Sequence, residues 1–362
     1  MAEHVLDVNL IYHNAEATLD GAIASVVGQS WPHWRLTLLD DGSTDGGPAI
    51  AAFWAARDGR IALKRHRANQ GIVGAYRRAF THGDADFVMP KSADDLIAPD
   101  FMAKLMAVLL ADRDVAMCHA AALNIDEAGT VLGEVPAHTR LDTPDGGPLQ
   151  RAMHVMQRYA YSPSFWGIYR REALDLASQP MACGGWDHAF LAEIALYGHI
   201  RHVPEPLFLR RGGPAPLWRL ARNAGMAWAR ARSERDVFAD VGPLAPSASC
   251  AWAHVETFSL ARLSAPERAG LIEAARDILR ARWSTSFVRE AALVTARLPA
   301  LLAQAREVAR GGATGAATRL RVEAMRLVEA LLWVLEPGRE AEALAATWRA
   351  QTGLAVGPEV AA

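Results

Sequence analysis

The sequence contains few of the features that define several classes of protein. Its 362 residues include only three cysteines, Cys118, Cys183 and Cys250, and thiols so far apart form neither a disulfide framework nor a paired-cysteine zinc site. The formal net charge is −2, so no basic field is present to hold a phosphate backbone. We therefore expect buried, reduced cysteines and exclude nucleic acid as the main partner.

Long apolar runs are also missing. The N-terminus lacks the basic flank and apolar stretch of a secretory signal. The most apolar late segments, residues 291–302 and 328–335, are interrupted by Arg297 and Pro299 or are too short to cross a bilayer. The sequence therefore predicts a cytoplasmic protein without a transmembrane segment, and peripheral contact with the inner membrane stays open.

Two parts of different composition follow one another. From residue 5 to about 211, short β-branched or Leu-rich runs alternate with helical patterns, as in a sheet flanked by helices. After the Pro/Gly-rich residues 212–216, strand signals end and Ala, Arg and Leu dominate, with a capping box at Ser264 and Glu267 and one apolar helical stripe. We predict an α/β domain over residues 1–213 and an all-helical region over 214–362. The stripe consists of Leu320, Ala324, Leu327, Leu331 and Val334.

Some local boundaries can be predicted as well. The strand of residues 86–89 should end before Pro90, because proline has no backbone N–H to donate. Residues 124–129 are typical of a hairpin turn. Four histidines, His119, His188, His199 and His202, have no helical zinc spacing, so we interpret them as hydrogen-bonded structural residues. His188 is in addition a candidate to assist Asp187, its neighbour.

Adjacent carboxylates follow two of the apolar strands. Asp40 and Asp41 stand in residues 38–46, and Asp94 and Asp95 in residues 89–100. In open α/β sheets ligands gather at the carboxyl ends of the strands. Like charges so close repel unless a cation or hydrogen bonds offset them, and oxygen ligands suit Mg²⁺ or Mn²⁺. These loops predict a metal and nucleotide site, the alternative being turns and helix caps without a ligand.

In this order the motifs resemble the family 2 glycosyltransferases of the bacterial type, which act in polysaccharide biosynthesis. The resemblance covers roughly the first 210 residues and is carried by residues 11–14, 29–32, 40–45, 69–71, 92–95 and 185–187. It implies the GT-A fold, a Rossmann-like mixed sheet flanked by helices that binds a nucleotide-diphospho-sugar. It also implies a metal-dependent hexosyltransferase that uses Mg²⁺ or Mn²⁺.

The resemblance also implies roles for individual residues. Asp41 would bind the base, Asp94 the metal, and Asp187 would be the general base that takes the proton of the acceptor hydroxyl. Arg210 and Arg211 would stabilise the leaving diphosphate, the alternative being a solvated surface pair. The other residues implied at the nucleotide are Ile11, His13, Asn14, Asn69, Gly71, Ser92 and Ala93.

Aromatic residues near Asp187 are candidates for the acceptor side, because aromatic faces pack well against sugars. Tyr161, Trp166 and Trp186 are the predicted acceptor contacts, within a segment that also holds Tyr159 and Phe165. The alternative is a packed core strand. Asp187 has an alternative too, as the cap of the helix that follows it.

Four positions depart from the family pattern. Ser92 stands where the first Asp of the metal motif usually lies, Ile11 replaces a proline, and Tyr76-Arg77 replaces Arg-Asn. We predict an inverting transferase that moves a sugar, expected from a UDP-sugar, to a hydroxyl of a glycan, glycolipid or protein. The alternative is an inactive GT-A-fold binding or scaffold protein. For the helical region, acceptor shaping, homo-oligomer formation and membrane-surface contact all stay open.

Overall fold

A computed structural model describes residues 4–136, 140–158, 163–178, 185–212 and 245–356. The chain divides into two compact units. Unit 1 comprises Met1–Pro180 and Ile194–Leu217, and unit 2 comprises Met181–Glu193 and Trp218–Ala362. The boundary predicted between residues 213 and 214 lies outside the described residues.

Among the described residues, unit 1 is built on a nine-stranded mixed sheet. The strands are β1 (Leu6–Tyr12), β2 (Trp34–Asp40), β3 (Ile61–Arg65), β4 (Phe87–Ser92), β5 (Leu96–Ile97), β6 (Val115–Ile125), β7 (Val131–Glu134), β8 (Ile168–Arg170) and β9 (His199–Arg211). They lie in the order β3-β2-β1-β4-β8-β6-β9-β5, with β7 on β6. The first four strands are mutually parallel, whereas β8 is antiparallel to β4 and β6. The predicted mixed sheet is confirmed.

Helices alternate with these strands along the chain. They are α1 (Glu16–Val27), α2 (Gly47–Ala55), α3 (Gly71–Thr81), α4 (Phe101–Ala111), α5 (Pro148–Arg158), α6 (Arg171–Leu176) and α7 (Trp186–Tyr197), of which α7 belongs to unit 2 up to Glu193. β1 is buried along almost its whole length, as expected of a parallel strand covered on both faces. Leu10 of β1, Ile23 of α1 and Phe101 of α4 all belong to the resulting core. This core fixes the strand ends from which the acidic loops leave.

The strand predicted to end before Pro90 instead continues as β4 to Ser92. β8 pairs only with the first two residues of β4, Phe87 and Val88, so the missing N–H of Pro90 removes no hydrogen bond on that side. The extension puts Ser92 in register with Ile11 of β1. The prediction for this strand end was therefore wrong, and the correction places Ser92 beside the end of β1.

The predicted turn between β6 and β7 is confirmed, where Asp126 accepts from the N–H of Thr130 at 2.8 Å.

Unit 2 is helical through residues 245–356. Its helices are α8 (Pro246–Leu260), α9 (Ala265–Arg310), α10 (Thr314–Val334) and α11 (Arg339–Thr352). The buried carboxylate of Glu290 on α9 caps the start of α8, accepting from the N–H groups of Ser247 and Ala248 at 3.0 Å each. The capping box that opens α9 and the buried apolar stripe on α10 are confirmed. Among the described helices, none is long and apolar enough to cross a membrane.

Both described cysteines, Cys118 and Cys250, are buried, as predicted. Cys183 lies outside the described residues. The hydrogen-bonded role predicted for the histidines is confirmed at His119, whose Nε2 lies 2.7 Å from the carbonyl oxygen of Leu141, and at His188, described below.

Candidate functional site

The first acidic loop leaves β2 at Asp40. This carboxylate is buried and braces the loop, since Oδ1 accepts from the N–H of Ser43 at 2.8 Å and Oδ2 lies 3.0 Å from Nε of Arg65. Arg65 also donates to the carbonyl of Ser43 at 2.7 Å. Asp40 therefore shapes the loop, through the hydrogen bond of Oδ1 and through the ion pair of Oδ2 with Arg65, although Oδ2 accepts no hydrogen bond among the described residues.

Asp41 is buried next to it, at 3% exposure. Its two oxygens share the N–H of Gln70, at 3.0 and 3.1 Å, and Oδ1 lies 2.8 Å from Nδ1 of His66. A carboxylate has about four lone-pair sites, so Asp41 retains the capacity to accept from a base N–H. His66 was missed in the sequence, where its only signal is its place directly after β3.

The end of β1 is tied to the same loop. Asn14 has φ of 50°, a left-handed conformation that asparagine tolerates. Its N–H donates to Oγ of Ser43 at 3.0 Å, and its Oδ1 accepts from the N–H of Thr44 at 2.8 Å. Ile11 pairs with Leu39 of β2, and His13 is exposed. The structure thus brings the predicted residues of β1 together with the first acidic loop.

A third segment, residues 68–71, closes against this loop. Gly42 has φ of +76°, and a Cβ there would lie 2.7 Å from the backbone C of Ala68 and N of Asn69. Oδ1 of Asn69 accepts from the N–H of Gly71 at 2.6 Å, where Gly71, at φ of +80°, begins α3. The predicted residues Asn69 and Gly71 therefore lie beside Asp41, and the approach requires a glycine at position 42.

Gly42→Ala is expected to weaken nucleotide binding at least tenfold and to lower the free energy of unfolding by about 2 kcal/mol. A left-handed conformation alone costs an alanine roughly 1–2 kcal/mol, and here the methyl group would also displace the backbone at Asn69. Calorimetric titration with UDP and chemical denaturation measure the two effects. Gly59→Ala is the matched control, because a Cβ there meets nothing within 4 Å; equal behaviour of the two variants would contradict the prediction.

The second acidic loop leaves β4 at Ser92. Oγ of Ser92 donates to Oδ2 of Asp95 at 2.8 Å, and Oδ1 of Asp95 accepts from the N–H of Arg211 at 2.9 Å. Lys91 is fully buried, and its Nζ donates to the carbonyls of Ser92, at 2.9 Å, and of Asp95. Burial lowers the pKa of Lys91 to about 8, although Asp95 and Asp94 oppose the shift. Lys91 was given no role from the sequence, where its only signal is a charge inside an apolar strand.

Asp94 differs from its neighbour. It is exposed, and among the described residues its carboxylate has no hydrogen bond or ion pair. Protein atoms around it nevertheless displace part of its hydration, and this desolvation, ahead of the charge on Asp95, raises the pKa of its carboxyl. Ala93, before it, is buried. The carboxylate of Asp94 is thus exposed, whereas that of Asp95 is hydrogen-bonded within the loop and to Arg211.

Of the two predicted arginines, Arg211 braces this loop. The guanidinium of Arg211 donates to the carbonyls of Asp94 at 2.9 Å, of Asp126 at 2.8 Å and of Glu127. Arg210 donates to Oδ1 of Asn124 at 3.2 Å. Both place positive charge at the end of β9, beside the acidic loop.

The remaining predicted residues lie apart from these loops in the chain. Asp187 is half-buried in the first turn of α7, and Trp186, at 4% exposure, packs on Phe190 with ring centroids 5.1 Å apart, all three within unit 2. In unit 1, Trp166 is half-buried, 5.9 Å from the ring of Tyr76. Tyr161, with Tyr159, lies outside the described residues. The roles of Asp187 and of these aromatic residues stay predictions.

A mixed sheet whose parallel strands carry two acidic loops at their carboxyl ends is the arrangement expected of the GT-A fold. Residues 7–175, which are 169 of the 362 residues, match the model of Glycosyl transferase family 2. The assignment drawn from the motifs is confirmed.

Several known proteins are similar to this part of the chain. The putative glycosyltransferase EpsE of Bacillus subtilis (strain 168) is 33% identical over 129 residues, which are 34% of this chain and 46% of that protein. The uncharacterized glycosyltransferase YibD of Escherichia coli (strain K12) is 28% identical over 171 residues, 47% of this chain and 49% of that protein. The chain spans about half the length of these curated relatives. Among solved structures, S. aureus TarS 1-349 in complex with UDP has a TM-score of 0.47 at 16% identity and covers 89% of this chain and 90% of its own.

Proposed function

We propose that this chain is an inverting glycosyltransferase that moves a sugar from a UDP-sugar to a hydroxyl group of a glycan, glycolipid or protein acceptor. The observation that carries the proposal is that, in each acidic loop, one carboxylate supports the loop and the other is available to a ligand. Asp40 and Asp95 hold the loops in shape, while Asp41 keeps accepting capacity and Asp94 has no partner among the described residues. The match of residues 7–175 to the model of Glycosyl transferase family 2 supports the same chemistry.

Asp41 would recognise the base. Its buried carboxylate is fixed by the N–H of Gln70 and by His66, so it can accept from an N–H of a uracil ring without moving. Preorganisation of this kind lowers the entropy lost on binding. A relative named UDP-Glc:alpha-D-GlcNAc-diphosphoundecaprenol beta-1,3-glucosyltransferase WfgD, from Escherichia coli, is 27% identical over 96 residues. Its printed name supports our choice of UDP.

Asp94 fits a divalent metal, which a GT-A fold usually binds. An outward-facing carboxylate with a raised pKa has lost hydration that a cation would replace. Mg²⁺ is commonly held by one or two carboxylates together with substrate phosphates, and a single carboxylate on this loop suits that arrangement for Mg²⁺ or Mn²⁺. When bound, the ion would neutralise charge on the leaving diphosphate. Arg210 and Arg211 would add positive charge from the end of β9.

Asp187 would supply the general base. In an inverting transfer the acceptor oxygen attacks the anomeric carbon as the bond to the diphosphate breaks, and a carboxylate takes the hydroxyl proton. Asp187 is half-buried at the start of α7, so its carboxylate is sheltered without being sealed from solvent. Trp166, Trp186 and Tyr161 would contribute to the acceptor side.

Calorimetric titration tests the donor site directly. We expect UDP to bind in the presence of Mn²⁺ or Mg²⁺, to bind at least tenfold more weakly in EDTA, and to bind more tightly than GDP. Uptake of the ion without nucleotide should be weak, since one carboxylate supplies few ligands. Absence of metal-dependent binding for all the common nucleoside diphosphates would contradict the proposal.

An inactive GT-A-fold scaffold remains the second candidate, and Ser92 favours it. The hydroxyl of Ser92 donates to Asp95. Position 92 therefore supports the loop, and it lacks the carboxylate that the family usually has there. The scaffold predicts UDP binding without turnover. Slow hydrolysis of a UDP-sugar, measured as UDP release across a panel of donors, would exclude it.

A further inference from the structure

Four residues form a hydrogen-bonded chain inside unit 2, here called the histidine chain: Arg282, His188, His254 and Cys250. Nη1 of Arg282 lies 3.4 Å from Nε2 of His188, and Nδ1 of His188 lies 2.7 Å from Nε2 of His254. Nδ1 of His254 lies 2.8 Å from the carbonyl oxygen of Cys250, one turn earlier on α8. Both imidazoles and Cys250 are buried.

The direction of each hydrogen bond follows from the ends of the histidine chain. A carbonyl oxygen only accepts and a guanidinium only donates. Nδ1 of His254 therefore carries the proton, Nε2 of His254 accepts from Nδ1–H of His188, and Nε2 of His188 accepts from Arg282. Every ring nitrogen is satisfied with both imidazoles neutral, in agreement with the burial that lowers the pKa of His254 to about 4.

The same helix, α8, also holds the residue that precedes α7. Gly185 has φ of +72°, and a Cβ there would collide with Sγ of Cys250 and lie 2.6 Å from its Cβ. The carbonyl oxygen of Gly185 lies 3.7 Å from that sulfur. Gly185 and His188 are therefore both fixed on α8, and Asp187 lies between them in the chain.

A metal ion is the competing explanation, because single ligand atoms of His188, Cys250 and His254 all lie within 4.8 Å of one another. Two features favour hydrogen bonds instead. At Zn–N distances of about 2.0 Å, tetrahedral ligands stand roughly 3.3 Å apart, whereas the two histidine nitrogens are separated by 2.7 Å. A metal on Nδ1 of His188 would also move the proton to Nε2, where it would face the donor Arg282.

We propose that the histidine chain positions Asp187 for catalysis, with α8 and α9 of the helical region as its support. This inference rests on the proposed function, in which Asp187 is the general base. A misplacement of about 1 Å in a catalytic group can cost 10²-fold in rate. In this proposal the helical region fixes the residues on either side of Asp187 in the chain, Gly185 and His188.

Two substitutions at one position test the histidine chain. His254→Leu removes the acceptor for His188, whereas the side-chain oxygen of His254→Gln can reach the place of Nε2 and accept in its stead. We expect kcat to fall about 10- to 100-fold in the Leu variant and to stay within about threefold in the Gln variant, with KM for the donor and UDP affinity unchanged in both. If only packing were lost, kcat would fall equally in both variants, and this result would overturn the proposal.

Hydrogen–deuterium exchange of residues 185–193 in the full chain gives a readout that needs no turnover. Faster exchange in the Leu variant but not in the Gln variant supports positioning, even if the wild type proves inactive and the proposed function fails. Equal exchange in wild type and both variants overturns the positioning role, even if transfer is confirmed.

Should the Leu variant not fold, Arg282→Met must give the same loss of kcat at the half-buried end of the histidine chain. One zinc ion retained in native mass spectrometry by the wild type and lost in the Leu variant would overturn the hydrogen-bond assignment.

Discussion

Asp187→Asn is expected to lower kcat for sugar transfer by about 10²- to 10⁴-fold while leaving the affinity for UDP within about twofold of wild type. Asparagine has the same shape as aspartate but no charge, so it cannot take the proton of the acceptor hydroxyl. UDP and its metal are assigned to Asp41 and Asp94, on the acidic loops of unit 1, so binding should not depend on this carboxylate. Release of UDP from a donor and acceptor pair measures kcat, and calorimetry measures binding.

Glu172→Gln is the matched control, because Glu172 is also an acid in the first turn of a helix, α6, and is exposed. It should retain wild-type turnover. If Asp187→Asn keeps more than a tenth of the activity, Asp187 is not the base but an acid that stabilises the first turn of α7, and its substitution should then cost only about 1 kcal/mol of stability.

The parts of this structure that the sequence predicted well are those fixed locally. Asp40 ends, and Asp41 follows, a strand that is buried except at Arg35, and parallel strands with helical crossovers bring their carboxyl ends to the same edge. That is sufficient to place Asn14, Asp41 and Ser92 near one another before any coordinates exist. The specific motif then indicated the family whose model residues 7–175 match.

The parts that escaped prediction depend on contacts distant in the chain. The N–H of Arg211 binds Asp95 across 116 positions, and His188 meets His254 across 66. No periodicity or turn chemistry encodes such pairs, because they arise only when helices and strands pack. The strand through Pro90 was missed for a related reason: the cost of proline depends on whether a neighbouring strand requires its N–H, and β8 ends too early to do so.

The acidic pairs could not be divided into ligand-binding and structural members from the sequence for the same reason. Asp40 and Asp41, or Asp94 and Asp95, are identical in type and adjacent in position. Only their partners separate them, since Asp40 binds Ser43 and Arg65, and Asp95 binds Ser92 and Arg211. One member of each pair supports the loop, which leaves the other available to a ligand.

Asp94→Asn is the second substitution for which we expect a large effect, because Asp94 is the member of its pair that is available to a ligand. We expect the substitution to remove the metal dependence of UDP binding, so that affinity in Mn²⁺ falls to the value in EDTA, and to lower kcat by about 10²- to 10³-fold, the loss typical of one electrostatic group at a developing charge. Folding should be almost unaffected, because among the described residues the Asp94 carboxylate supports no other group.

Asp95→Asn is the matched control and should behave in the opposite sense. An amide keeps only one oxygen to accept from Ser92 and the N–H of Arg211, so the free energy of unfolding should fall by about 1–3 kcal/mol, while UDP binding by the folded protein stays dependent on Mn²⁺. Calorimetry with and without Mn²⁺, combined with denaturation, separates the two variants. If Asp95→Asn alone abolished the metal dependence, the metal ligand would be Asp95, and the hydrogen bonds from Ser92 and Arg211 would then serve to orient that ligand.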